Sequence, residues 1–207
     1  GVKGATPKMG DEAAIISVSS THRDIFLFTS RGRVFALRGY VIPEPKTGKG
    51  RLANQFISLE NGEYVVAMKD RHLHGASFVF FITTRGVAKR LPAKELDNLT
   101  RAGRRVLSLD DGDEIARVRF TSGNDDILIV TAKGQALRVT EEEFRPLGRQ
   151  ARGVRGIRLK AGDSVVGCDI VKAGHQALLV SELGVGKRTS FDEFMPHHRA
   201  TGGCRAM

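Results

Sequence analysis

The chain has 207 residues, of which 41% are apolar and 27% charged, a balance that supports a packed core and excludes an intrinsically disordered tail. Its 33 Lys and Arg outnumber 23 Asp and Glu, leaving a net charge of +10 and pointing to a polyanionic partner, either nucleic acid or an anionic membrane surface. No apolar run is long enough to span a bilayer, the first residues lack a signal-peptide pattern, and Cys168 and Cys204 make no disulfide framework; the expected compartment is a reducing cytoplasm.

In chain order, the first predicted strand is Ile25-Phe26-Leu27-Phe28, followed by a turn at Thr29-Ser30-Arg31-Gly32. The same apolar run recurs at Phe78-Val79-Phe80-Phe81-Ile82, Ile127-Leu128-Ile129-Val130 and Ala177-Leu178-Leu179-Val180, each before a Gly turn. The turn glycines, Gly32, Gly86, Gly134 and Gly184, lie 54, 48 and 50 residues apart. Short apolar runs bounded by turns suit strands buried on both faces, and the glycine supplies the positive φ of a tight hairpin. A second strand follows each turn, as in Gln135-Ala136-Leu137-Arg138-Val139, and then a short acidic, helix-compatible stretch such as Thr140-Glu141-Glu142-Glu143-Phe144.

Two further landmarks share this period. A basic Gly loop recurs at Gly48-Lys49-Gly50-Arg51, Arg101-Ala102-Gly103-Arg104, Ala151-Arg152-Gly153-Val154 and Ala200-Thr201-Gly202-Gly203. An acidic turn recurs around Gly62, Gly112 and Gly162, at spacings of 50 and 50. Between loop and turn a third strand is predicted at Gly156-Ile157-Arg158-Leu159, and after the turn a fourth at Ser164-Val165-Val166-Gly167-Cys168. Four short strands per repeat of about 50 residues are the unit of a propeller-like array. The expected fold is therefore all-β, with blades at roughly 11–70, 71–119, 120–172 and 173–207, the last incomplete. The chain starts with Gly1 and stops within the pattern, so it reads as a fragment whose parent has further repeats.

The basic residues follow the same landmarks. Arg31, Arg33, Arg85 and Lys133 fall in the hairpin turns, and Lys89, Arg90, Arg138, Lys187 and Arg188 just after them, with Arg38 as the nearest counterpart in the first repeat. Lys46, Lys49, Arg51, Arg101, Arg104, Arg105, Arg149, Arg152, Arg155, Arg158 and Arg199 surround the Gly loops. A landmark that recurs once per blade recurs at one radius, so these groups are expected to form a basic rim that contacts duplex phosphates. Aromatic residues make up only 6% of the chain, with no Trp, which disfavours single-strand stacking, and nothing resembles a recognition helix. Sequence-tolerant duplex binding is the expectation, with preference arising from DNA bendability.

These motifs resemble a known family. Ser19 to Phe35, Gly153-Val154-Arg155-Gly156-Ile157-Arg158-Leu159 and Gly184-Val185-Gly186-Lys187-Arg188-Thr189 look like blades of the C-terminal domain of the DNA gyrase A subunit. The resemblance covers essentially the whole chain. It implies a β-pinwheel whose blades exchange strands, with DNA wrapped around the rim to bias ATP-driven strand passage toward negative supercoils. It implies as partners double-stranded DNA, the rest of a dimeric gyrase A subunit, and the gyrase B subunit. The family's full domain has more blades than the four fitted here, and of its signature box only Gly1-Val2-Lys3-Gly4 could be a remnant. The related C-terminal domain of topoisomerase IV is the alternative; the regularity of these repeats favours gyrase. Other readings are a protein-interaction scaffold, and a carbohydrate-binding propeller that would need repeated exposed aromatics.

No catalytic residue is expected in the chain. The family's nucleophilic Tyr and metal site lie outside this domain, so Tyr40 and Tyr64 read as packing or rim residues. The spacing in Gly184 to Thr189 fails as a P-loop, so no cofactor is expected here, ATP and Mg belonging to the holoenzyme. Neither His72 and His74 nor His197, His198 and Cys204 complete a standard metal-ligand set. Asp110, Asp111 and Asp113 read as a structural turn rather than a calcium loop.

Overall fold

The computed structural model describes residues 15–44, 50–71 and 75–206. Gly1 to Gly4, Lys46, Gly48, Lys49, His72 and His74 lie outside the described residues. The first repeat contributes β1 (Asp24–Thr29), β2 (Arg33–Arg38) and β3 (Val65–Asp70). The second contributes β4 (Phe78–Thr83), β5 (Val87–Pro92), β6 (Arg104–Arg105) and β7 (Ile115–Thr121). The third contributes β8 (Asp126–Thr131), β9 (Gln135–Thr140), β10 (Val154–Arg155) and β11 (Val165–Ile170). The fourth contributes β12 (Gln176–Val180), β13 (Gly186–Ser190) and β14 (Cys204–Arg205).

The fold is all-β, and strands cross between repeats. Three four-stranded antiparallel sheets have the orders β3-β1-β2-β6, β10-β5-β4-β7 and β11-β8-β9-β14, and β12 and β13 form a two-stranded sheet. Each full sheet thus holds a hairpin and a returning strand from one repeat, completed by a two-residue strand from the next. The third strand predicted at Gly156 to Leu159 is in fact Val154–Arg155, and it joins the sheet of the preceding repeat. The fourth runs from Val165 to Ile170 and pairs with β8 of its own repeat. The acidic stretch folds as a single 3₁₀ turn, Glu141–Glu143, with the Thr140 hydroxyl accepting from the Glu142 N–H.

Strand alternation explains why the apolar runs are continuous. Phe26 and Phe28 on β1 face the second blade, packing with Val79 and Phe81, while Leu27 turns to the opposite face beside Phe35 and Leu37. On β4, Val79 and Phe81 face the first blade, while Phe80 and Ile82 face the third, beside Ile127, Ile129 and Phe144. Period-2 geometry sends successive side chains to opposite faces, so a strand sandwiched between two blades needs apolar residues at every position. In the fourth blade one face is open: Ala177 is buried, but Leu178 is 67% and Val180 60% exposed.

The hairpin glycine serves the exchange as well as the turn. Gly32 has φ +74, and a Cβ there would lie 2.3 Å from the Leu107 carbonyl oxygen, just beyond the exchanged strand β6. The residue after each exchanged strand's arginine donates to the hairpin glycine: Val106 to Gly32, Gly156 to Gly86 and Ala206 to Gly134, all at 2.8 Å. A register shift recurs where each returning strand meets the end of its hairpin, at Phe28/Thr29, Ile82/Thr83 and Val165/Gly167, a bulge that increases local twist.

Candidate nucleic-acid interface

The returning strands mark the inner edges of the blades. β7 packs against both β3 and β11, so these three strands converge. The exchanged strands β6, β10 and β14 occupy the opposite edge of each sheet, which is the outer edge of the array. That edge is basic: Arg104 and Arg105 on β6, Arg155 on β10 and Arg205 on β14 are all exposed.

The expected rim residues separate by what their side chains touch. Lys89 and Arg90 are 0% and 8% exposed. Lys89 Nζ donates to the carbonyls of Val106, Arg149 and Ala151 at 2.7, 3.0 and 2.8 Å, and burial pushes this ammonium down to about 8 against the opposing pull of Glu95. Arg90 lies over the Phe78 ring and donates to the Gly123 carbonyl. Arg138 pairs with Asp126 at 2.7 Å and donates to the Phe191 carbonyl. Arg33 is held by the carboxylates of Glu63 and Glu60 and by the Ser58 carbonyl. Lys89, Arg90 and Arg138 sit mid-strand opposite the buried Phe81, Phe80 and Leu128, and Arg33 is held by the buried Glu63 carboxylate, so these four drop out of the candidate surface.

A second group is exposed or half-buried but holds protein partners. Arg85 donates to the Asp111 carbonyl and Lys133 to the Ala161 carbonyl, each bracing its own repeat's acidic turn. Arg101 donates to the Phe56 carbonyl and Arg199 to the Arg155 carbonyl. Arg38 pairs with Asp24, Arg149 with Glu95 and Arg152 with Asp110. Such solvent-facing pairs are worth little, and phosphate can replace their carboxylates.

The third group has no hydrogen bond or ion pair from its side chain among the described residues: Arg31, Arg51, Arg104, Arg105, Arg155, Arg158, Lys187 and Arg188. All but the half-buried Arg31 are exposed. Lys187 and Arg188 occupy the positions of Lys89 and Arg90 in the fourth blade, where no exchanged strand among the described residues covers them. Arg205 was not among the expected contacts, although the spacing of 50 from Arg105 to Arg155 extends to it.

The acidic turns have a structural task. Asp113 accepts from the Arg85 N–H and the Thr84 hydroxyl, and Asp163 from the Lys133 N–H. Glu63 accepts from the Thr29 hydroxyl at 2.5 Å. In each of the first three repeats, one carboxylate therefore pins the hairpin turn to the turn before the returning strand. Asp113 thus serves the structural turn rather than a calcium loop, and its carboxylate has counterparts in Glu63 and Asp163. Tyr64 is 50% exposed and donates to Glu114 at 2.7 Å; Tyr40 is 67% exposed.

The blade repeat has a match among protein families. The model described as DNA gyrase C-terminal domain, beta-propeller, matches residues 23–69, 77–122, 125–172 and 175–207. The chain belongs to the DNA gyrase A C-terminal domain family. It is 60% identical over its whole length to the DNA gyrase A subunit of Aminobacterium colombiense and 38% identical over 99% of its length to that of Staphylococcus aureus. It spans 25% and 24% of those relatives, about a quarter of their length. Among solved structures, a DNA gyrase A C-terminal domain superposes with a TM-score of 0.75 at 24% identity, covering 89% of this chain and 60% of that one. A topoisomerase IV C-terminal domain superposes with a TM-score of 0.79 at 23% identity, covering 89% and 58%. At these identities the superpositions establish the β-pinwheel fold; the gyrase assignment comes from the family model and the sequence relatives.

Proposed function

We propose that the chain binds duplex DNA along the basic outer edge of its blades and wraps it without reading base sequence, as the wrapping domain of a gyrase A subunit. The observation that carries this reading is the concentration of exposed arginines on and around the exchanged strands, once per repeat, on the edge away from the convergent returning strands. Phosphate contacts from such a band give affinity and register but no base specificity. A curved array of them favours a bent duplex, so that sequence preference enters through the cost of bending. In this reading the chain acts within a cytoplasmic type II topoisomerase, its partners being the rest of a dimeric gyrase A subunit and the gyrase B subunit. Strand cleavage, ATP and Mg belong to those other parts, and biased wrapping directs strand passage toward negative supercoiling.

Affinity for long duplex DNA as a function of salt tests the binding step. With about 6–10 phosphates neutralised, log K falls with log salt at a slope of roughly −5 to −9. A flat salt dependence, or no binding at low salt, favours the protein-interaction scaffold instead.

A further inference from the structure

The exchanged strands place one arginine in the same register three times. Arg105 pairs with Arg33, Arg155 with Val87 and Arg205 with Gln135, in each case the residue immediately after the hairpin glycine of the preceding blade. Each following residue donates its N–H to that glycine's carbonyl at 2.8 Å. All three arginines are exposed at the outer edge, at sequence spacings of 50 and 50. Each is covalently part of one repeat and hydrogen-bonded into the sheet of the repeat before it. The exchanged strand itself is only two residues long, and the chain re-enters the buried core directly after it, at Val106, Ile157 and Ala206; the opening in question is that of this short strand.

Resting on the duplex-binding reading above, we propose that Arg105, Arg155 and Arg205 form a phosphate-binding ladder whose occupancy fastens each exchanged strand onto its neighbour blade. DNA binding and blade-to-blade docking are then linked. A phosphate held by one of these arginines is held in register only while the strand is docked, so the duplex binds the docked state better and shifts local opening toward it.

The test compares a ladder variant, Arg105→Gln/Arg155→Gln/Arg205→Gln, with a charge-matched control, Lys94→Gln/Lys160→Gln/Lys172→Gln, whose lysines are exposed and lie off the exchanged strands. Two readouts are taken: the salt slope of duplex binding, and amide exchange of Val106, Gly156 and Ala206 with and without a duplex at low salt. The ladder variant is expected to lose roughly 2.7 units of slope, at about 0.9 per phosphate contact, together with most of the DNA-induced protection of those three amides. The control should retain the protection. A parent chain that binds duplex while the ladder variant matches the control in both readouts overturns the ladder and leaves the binding reading standing. A parent chain that binds no duplex overturns the binding reading, and the ladder with it. Unchanged exchange of the three amides without DNA verifies that the substitutions leave the fold intact.

Discussion

Lys89→Met is expected to destabilise the fold by about 3 kcal/mol. The side-chain volume is nearly kept, but three carbonyls lose their donor, and each buried unsatisfied polar group costs about 1–3 kcal/mol. The carbonyls belong to separate segments: Val106 follows the exchanged strand β6, while Arg149 and Ala151 precede the exchanged strand β10. One ammonium therefore ties β5 to two exchange points. The pH dependence is a second signature. Burial lowers this lysine from its ordinary value near 10.5 to about 8, so between these limits the unfolded chain binds more protons than the folded one, and this group makes stability rise with pH across that window. Chemical denaturation at pH 7 and across the interval between the two pKa values reads both effects. Equal stability of parent and variant at pH 7 would mean that the carbonyls are satisfied otherwise and that Lys89 is no tie.

Glu63→Gln is expected to lose about 2–4 kcal/mol at pH 7, because it breaks a pair in which the carboxylate is fully buried and Arg33 is 17% exposed. Burial by itself would raise the Glu63 carboxyl, but the Arg33 hydrogen bond, the Glu60 N–H and the Thr29 hydroxyl together hold it below the ordinary glutamate value. A lowered folded-state pKa gives stability that is fully present above the unfolded value and is lost as pH falls through the folded one. The gap between parent and variant, measured by urea denaturation, should therefore close as the solution is acidified below about pH 4.3. A gap that stays the same size throughout this acidification would show that the substitution destabilises for steric reasons unrelated to charge.

The parts of the fold that are legible in the sequence are local. A run such as Phe78-Val79-Phe80-Phe81-Ile82 followed by Thr84-Arg85-Gly86 specifies a buried hairpin without reference to distant residues, and its recurrence supplies the blade. Strand exchange is not legible from residue pattern. Strands of two residues, such as Val154–Arg155, carry no period-2 signal, and their pairing partner lies a full repeat away; hence the third strand is expected slightly later, at Gly156 to Leu159, than it is found. The rim is legible as a basic band but not residue by residue. Lys89 looks like a rim cation until it is aligned with Phe35 and Leu137, which fill the same position in neighbouring repeats and are fully buried. That alignment, which needs only the sequence, marks Lys89 as an inward position. Arg33 and Arg138 mislead for a related reason: their carboxylate partners, Glu63 and Asp126, come together with them only in the folded sheet.

In the proposed function, wrapping rather than binding alone is the step that would join the basic outer edge to supercoiling. It is read most directly by ligating a nicked circular duplex with the chain bound at low salt and measuring linking number after deproteinisation. A shift that grows with bound protein and vanishes at high salt is expected if the duplex follows the curved edge. Saturating binding with an unshifted linking-number distribution would show that DNA lies against these blades without being wrapped by them.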